Sequence, residues 1–230
     1  TDSGNTATKM CCLQLAKDYV FLQFRKAFRC PLTLGADIVV HSGTKFLGGQ
    51  NDTLAGFLVT NREEISEQLR FLIKTTGAGL APFDSWLILR GIKTLGIRME
   101  QAQKNALEIA NWLKTQPAVT KVIYPGLPEH PGYEIMKKQA RGFGSMLTFY
   151  VDNKEHAFEI LEKVRMIKFA ESLGGVETLL TYPTTQTHAD VPQEIREKNG
   201  ITDCTLRLSV GIEDARDLIA ELTQVFAELS

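Results

Sequence analysis

The chain has 230 residues, of which 43% are hydrophobic and 23% charged, and its formal net charge is -1. This composition is typical of a globular protein with one large core or two smaller ones. The near-neutral charge excludes the basic footprint of a nucleic-acid-binding protein and a polybasic membrane patch, and no apolar run is long enough to span a bilayer.

The four cysteines predict reduced thiols and no metal site. Cys11 and Cys12 are adjacent and would bridge poorly, and Cys30 and Cys204 complete no metal-ligand spacing. The first residues lack the charged-then-apolar pattern of a signal peptide. These features favour a cytoplasmic protein.

The first clear element is the β-branched run at residues 38–40, which predicts a buried strand. It ends in H-S-G-T-K at residues 41–45, and a glycine-rich turn follows. Residues 53–60 predict a second strand, and Asn61 is the expected N-cap of the helix after it. A loop at 75–79 precedes a helical stretch that Pro82 opens, and helical spacing continues to Leu113.

The second half alternates strands and helices. Strands are predicted at 121–124, 145–151, 168–172, 176–182 and 205–210, and helices at 132–139, 153–164 and 214–229. This alternation predicts an α/β fold.

The turn after the first strand sets two hydroxyls and one amine side by side. Lys45 could form a Schiff base with an aldehyde cofactor, and the hydroxyls of Ser42 and Thr44 could hold the cofactor's phosphate. The residues alone leave a second interpretation open, in which the strand ends in a polar turn, its hydroxyls cap the strand locally and the lysine is solvated.

The same segment, H-S-G-T-K followed by G-G-x-x-D-x-x-x-G, resembles the lysine segment of pyridoxal-phosphate (PLP) enzymes of the cystathionine family, which includes cystathionine β-lyase, γ-lyase and γ-synthase. Matching segments follow in the family's order at 82–95, 172–177, 187–189 and 207–213, so the resemblance covers the chain from about residue 31. Gln50-Asn51 departs from the usual His-Ser, and Gln186 from the usual methionine.

The resemblance implies the C-terminal part of a type I, aspartate-aminotransferase-like fold with a mixed sheet. Residues 1–92 would be the remainder of the large cofactor-binding domain, with 1–30 poorly matched, and residues 93–230 a smaller α/β domain. Lys45 would be the Schiff-base lysine, and Ser42 and Thr44 would bind the cofactor phosphate.

For the substrate, the resemblance implies Arg207, Ser172 and Glu177. Arg207 lies in an otherwise apolar strand and would clamp the substrate α-carboxylate. Its alternatives are solvent exposure or pairing with Glu213 or Asp214. Ser172 would lie beside the same carboxylate. Glu177 would influence reaction choice, unless the glycines before it only form a hairpin turn.

Other polar residues are expected to have minor or structural roles. Asp18 lies near the place where the family carries an aspartate for the pyridinium nitrogen, but it is out of register, so a solvated acid is favoured. His188 and His130 are interpreted as structural, and Cys204 has no motif that would make it a nucleophile. No two histidines are spaced for a metal.

The resemblance implies a PLP-dependent lyase of sulfur amino-acid metabolism that acts on cystathionine, with γ-replacement on an acylated homoserine as the alternative. It also implies self-association as a homodimer or homotetramer, with no nucleic-acid or membrane partner. Because the family has a long segment before the lysine, the chain is expected to lack an N-terminal part, and a non-catalytic fragment is the second hypothesis.

Overall fold

The computed structural model describes residues 31–229. The chain divides into two compact units, Thr1–Gly96 and Ile97–Ser230. The domain boundary between residues 92 and 93 stays a prediction. In the described part, no helix combines the length and apolar character needed to cross a membrane.

The first unit is built around a strand pair and two helices. A 3-10 turn at Pro31–Leu34 precedes β1 (Val39–Ser42), a π-helical turn (Gly43–Leu47), β2 (Gly56–Val59), α1 (Glu63–Thr76) and α2 (Pro82–Lys93). The two strands pair antiparallel, so β1 ends at Ser42, opposite Gly56.

Asn61 is not the N-cap of α1, contrary to prediction. The helix begins at Glu63 after an extended Arg62 that makes no side-chain capping bond. Instead, Thr60 Oγ1 accepts from the Arg62 amide at 3.2 Å and donates to the Asp37 carbonyl at 2.8 Å. The hydroxyl thus holds the chain one residue before the predicted cap, and the helix starts later.

The second unit is a five-stranded mixed sheet with helices. Its elements are α3 (Leu95–Leu113, which begins in the first unit), β3 (Val119–Ile123), α4 (Tyr133–Gln139), β4 (Met146–Val151), α5 (Lys154–Lys163), β5 (Lys168–Phe169), β6 (Leu179–Thr181), α6 (Gln193–Lys198), β7 (Thr205–Ser209) and α7 (Ala215–Ala227). The strand order is β3-β4-β7-β6-β5, and β5 and β6 are the parallel pair. The predicted α/β fold with a mixed sheet is confirmed.

The sheet buries one face in the core of the second unit. Its core side chains alternate along the strands, as a half-buried sheet requires. They pack with the apolar faces of α3, α5 and α7 in one cluster that includes Ile109, Leu113, Phe149, Ile160, Leu180, Leu206, Leu208, Leu218 and Leu222. On the other face, Arg207 is only partly buried, whereas its neighbours Thr181, Thr205 and Ser209 are buried.

Helix α2 approaches the π-helical turn through a glycine. A Cβ on Gly91 would lie 2.2 Å from the Gly48 carbonyl oxygen and 2.8 Å from that of Leu47. Since both neighbours are backbone atoms, neither can rotate away. The helix and the turn can pack this closely only with glycine at position 91.

We expect Gly91→Ala to destabilise the chain by about 1–3 kcal/mol because the methyl group overpacks against backbone. Gly96→Ala is the matched control: it is also a helical glycine, but its Cβ would meet nothing within 4 Å. Replacing it should stabilise the helix by about 0.5–1 kcal/mol. Thermal unfolding followed by circular dichroism measures both, and equal midpoints for the two variants would contradict the packing described.

Candidate active site

The π-helical turn after β1 carries Lys45 and is fastened to the residue that precedes β2. The amides of Gly43 and Thr44 both donate to the Ala55 carbonyl, at 2.7 and 3.3 Å. Within the segment, the Gly48 amide donates to the Gly43 carbonyl and the Gly49 amide to the Lys45 carbonyl, at 2.9 and 2.8 Å. Lys45 itself departs from helical dihedral angles (φ -94°, ψ -127°). The lysine backbone is thus held on both sides by hydrogen bonds.

Gly43 lets this turn lie against β2. A Cβ there would come within 2.5 Å of the Phe57 ring and 2.8 Å of the Ala55 Cβ. The glycine between the two hydroxyl residues of H-S-G-T-K is therefore required by packing.

The two hydroxyls have different surroundings. Ser42 is exposed at the end of β1. Thr44 Oγ1 accepts from the Ala55 amide at 3.0 Å and makes only a long contact, 3.4 Å, with the Ala55 carbonyl. Thr44 thus caps the strand locally, the alternative that the sequence left open, but its proton is weakly engaged and can be donated elsewhere.

Three residues that support the turn were not predicted to do so. Thr53 Oγ1 donates to Asp84 Oδ1 at 2.8 Å, which ties the glycine-rich segment to the first turn of α2, and Gly91 makes the close contact described above. Asp84 could be placed at a helix N-terminus from sequence. The sequence around its partner Thr53, 31 residues away, does not indicate this bond.

In the second unit, Arg207 occupies the middle of the central strand. It lies opposite Thr148 of β4 and Thr181 of β6. Nη2 is 3.4 Å from Thr181 Oγ1, and Nε is buried with no hydrogen-bond partner. Burial lowers the pKa of Arg207, and the charge of Glu171 opposes that shift. A buried donor without a partner costs about 1–3 kcal/mol, so this site favours an acceptor.

The two predicted alternative partners of Arg207 are engaged elsewhere. Glu213 accepts from the amide and hydroxyl of Thr178. Asp214 caps α7 and pairs with Arg216, which lowers the pKa of Asp214 to about 2. The pairing alternative is therefore wrong, and Arg207, which is half-buried, faces solvent only in part.

Ser172 and Glu177 lie in the loop between β5 and β6. Its first residues lie beside Arg207, because Thr181 Oγ1 contacts both the guanidinium and the Ala170 carbonyl, the latter at 3.1 Å. Ser172 is half-buried and Glu177 exposed. The hairpin alternative is wrong, since β5 and β6 run parallel and cannot be joined by a tight hairpin.

The loop is fastened to β7 by residues that sequence reasoning missed. The Gly174 amide donates to Ser209 Oγ at 2.8 Å, and the Ile212 amide to the Val176 carbonyl at 2.9 Å. In the sequence, only the position of Ser209 within the R-L-S-V-G-x-E segment could have pointed to this role.

The remaining polar residues show local contacts. His130 Nδ1 accepts from the Gly132 amide at 3.0 Å within a turn, and His188 bonds to Thr187 and Pro183. Burial raises the pKa of the Cys204 thiol, which disfavours a nucleophilic thiolate. Asp18 lies outside the described residues. Among residues 31–229, no group of three or more potential ligands could hold a metal ion.

The site residues therefore divide between the two units. Ser42, Thr44 and Lys45 share one turn of the first unit. Ser172, Glu177 and Arg207 lie on the loop and strand of the second.

Known proteins match this chain over most of its length. It is 48% identical over 202 residues to cystathionine gamma-lyase of Bacillus subtilis, covering 88% of this chain and 53% of that protein. It is also 48% identical to cystathionine beta-lyase of Lactococcus lactis (84% and 51%) and 45% identical to cystathionine gamma-synthase of Haemophilus influenzae (86% and 50%). The chain thus spans about half the length of these curated relatives.

A solved structure, cystathionine gamma-lyase from Lactobacillus plantarum complexed with L-serine, matches with a TM-score of 0.85 and 40% identity. The match covers 96% of this chain and 56% of that one. The predicted fold, part of the type I PLP-dependent architecture, is confirmed. The family described as Cys/Met metabolism PLP-dependent enzyme matches residues 18–227, a start earlier than the predicted residue 31. The chain therefore belongs to the Cys/Met metabolism family of PLP-dependent enzymes.

Proposed function

We propose that this chain carries residues of a PLP-dependent carbon–sulfur lyase that releases homocysteine, pyruvate and ammonia from cystathionine. The observation that carries the proposal is the Lys45 turn, where an amine and two hydroxyls lie together at a strand end. The family membership and the cystathionine lyases among the relatives support it.

The residues of the first unit fit the cofactor. A phosphate only accepts hydrogen bonds at neutral pH, and Ser42 and Thr44 supply hydroxyl donors. Because Thr44 Oγ1 already accepts from the Ala55 amide, its remaining capacity is to donate. Lys45 Nζ would hold the aldehyde carbon of PLP covalently.

Each residue then has a defined task. When bound, PLP supplies an electron sink for the negative charge that develops at the substrate α-carbon. Once the amine of the substrate has replaced it at the aldehyde carbon, Lys45 Nζ would be free, in its neutral form, to take the proton from the α-carbon. Arg207 binds the α-carboxylate through guanidinium N–H groups, one of which is the buried Nε–H, and the Ser172 hydroxyl contributes to the same carboxylate. Glu177 influences which sulfur-bearing group leaves.

The alternative is γ-replacement on an acylated homoserine. It is favoured by the identity to cystathionine gamma-synthase, which is within a few per cent of that to the lyases. Self-association as a homodimer or homotetramer and a cytoplasmic location stay predictions.

We expect the PLP-loaded chain to release pyruvate from cystathionine, because β-elimination leaves the three-carbon fragment as the keto acid. Mass spectrometry of the 2-oxo acid released distinguishes pyruvate from 2-oxobutyrate, and Lys45→Ala is the inactive control. Release of 2-oxobutyrate and cysteine would indicate γ-elimination instead. Formation of cystathionine from cysteine and an acylated homoserine would indicate γ-replacement, and no product in any arm would favour the non-catalytic fragment.

We expect Lys45→Ala to abolish a yellow, borohydride-reducible PLP adduct, because the variant lacks the amine that binds the aldehyde. Lys93→Ala is the matched control, since Lys93 is an exposed lysine at the end of α2 in the same unit. Mass spectrometry of the reduced chain locates the adduct. An adduct that persists in Lys45→Ala, or is lost equally in both variants, would contradict the assignment.

We expect Ser42→Ala to weaken PLP binding by about tenfold, the effect of one lost charge-assisted hydrogen bond. Ser42 is exposed, so its removal should not disturb the fold. Pyridoxal, which lacks the phosphate, should bind the variant and the native chain equally well. Absorbance titration with both aldehydes measures this, and an equal loss for pyridoxal would show that Ser42 does not act on the phosphate.

A further inference from the structure

A carboxylate in the second unit holds both donors of one buried threonine. Glu213 Oε1 accepts from the Thr178 amide at 2.6 Å, and Oε2 accepts from the Thr178 hydroxyl at 2.8 Å. An ionised carboxylate only accepts, so the hydroxyl must donate to it. The Thr178 oxygen is then left to accept from the Gly211 amide, at 2.9 Å. The two bonds from Thr178 end on separate oxygens, so the arrangement uses both acceptor atoms of the Glu213 carboxylate.

A second polar side chain also bonds to the backbone of residues 211–213. Asn105 of α3 is fully buried, and its Nδ2 donates to the carbonyls of Gly211 and Glu213, at 3.1 and 2.7 Å. Its Oδ1 accepts from Gln101 Nε2 at 2.7 Å. The backbone that follows β7 is thus held at both ends of a three-residue segment.

These contacts reach the substrate residues through the loop at 172–178. The loop is attached near its start by the Gly174–Ser209 bond and at its end by Thr178. Ser209 is two residues from Arg207 on the same strand, so both side chains lie on one face of the sheet. The strand that carries Arg207 therefore also holds the loop.

We propose that Glu213 is a positioning residue for the carboxylate site, which holds the 172–178 loop against the end of β7 so that Ser172 stays in register with Arg207. The inference rests on the proposed role of Arg207. Glu213 acts through Thr178 and Gly211 and does not itself touch substrate.

Glu213→Gln is the primary variant. A glutamine keeps an acceptor for the Thr178 amide, but its NH2 group can face the Thr178 hydroxyl only if the hydroxyl proton turns away and the Thr178 oxygen accepts from both the glutamine and the Gly211 amide, so the carboxylate's bond to the hydroxyl and its charge are both lost. Glu221→Gln is the matched control, because Glu221 is also a carboxylate that accepts from backbone amides, those of Arg165, Met166 and Ile167 at 2.6, 2.5 and 2.9 Å. Those amides lie at the opposite end of β5 from Ser172.

The readout is the NMR signal of the Arg207 Nε–H in the chain labelled with [15N]arginine and loaded with PLP, assigned by its disappearance in Arg207→Lys. L-alanine and ethylamine are the probes, since they differ only in the carboxylate. We expect L-alanine to shift the native signal at concentrations where ethylamine does not. Glu213→Gln should raise the half-saturating L-alanine concentration by about tenfold, and Glu221→Gln should leave it unchanged.

Thr178 provides a second test that does not depend on charge. Thr178→Ser keeps the hydroxyl and should bind L-alanine like the native chain, whereas Thr178→Val removes it and should match Glu213→Gln. The double variant Glu213→Gln, Thr178→Val should be no worse than either single variant, because both break one network.

The two proposals fail in different ways. If the native Nε–H signal responds equally to L-alanine and ethylamine, Arg207 does not bind the carboxylate, and the positioning role falls with it. If the native Nε–H signal responds to L-alanine and not to ethylamine, but the half-saturating L-alanine concentration is the same in the native chain, Glu213→Gln and Glu221→Gln, the carboxylate role of Arg207 stands and the positioning role of Glu213 is overturned.

Discussion

The backbone of Ala55 holds the lysine turn in place, and the chemistry proposed for the first unit depends on it. Its carbonyl accepts from the amides of Gly43 and Thr44, and its own amide donates to the Thr44 hydroxyl. These bonds end β1, start the π-helical turn and orient a hydroxyl that also belongs to the proposed phosphate site. One residue therefore links the strand pair to the lysine without contributing any side-chain chemistry of its own.

In the second unit, Arg207 is placed where its charge is costly. It lies in the centre of the sheet with threonines on both sides, and one of its buried N–H groups has no protein partner. The acidic residues close to it in sequence are committed to Thr178 and Arg216. These carboxylates thus hold backbone and cap α7 and do not pair with the guanidinium, as the proposed substrate role of Arg207 requires.

Much of this arrangement could be predicted from the sequence, because the residues concerned are local. The strand before Lys45, the helix that Pro82 opens and the strand that carries Arg207 follow from periodicity and turn residues. The predicted burial of the first of these strands is wrong, because Ile38 and Val40 are 42% and 68% exposed. The features that were not predicted depend on hydrogen bonds to a partner far along the chain. Thr60 displaced the predicted Asn61 cap by bonding to Asp37, and Asn105 acts on Gly211 and Glu213, more than 100 residues away.

The same reason explains the errors in the second half. The predicted strands at 168–172 and 176–182 are shorter in the structure. Val176 bonds to Ile212, and Thr178 bonds to Gly211 and Glu213, all of which follow β7. The short helix Gln193–Lys198 was not predicted, since six residues offer too little periodicity to detect.

The glycine contact between α2 and the lysine turn has an evolutionary consequence. Because main-chain atoms meet main-chain atoms there, the location of the turn does not depend on which apolar side chains fill the space around it. The surrounding packing is thus free to diverge among relatives while the backbone of Lys45 keeps its position. Position 91 is the exception, because any side chain there would push α2 and the lysine turn apart.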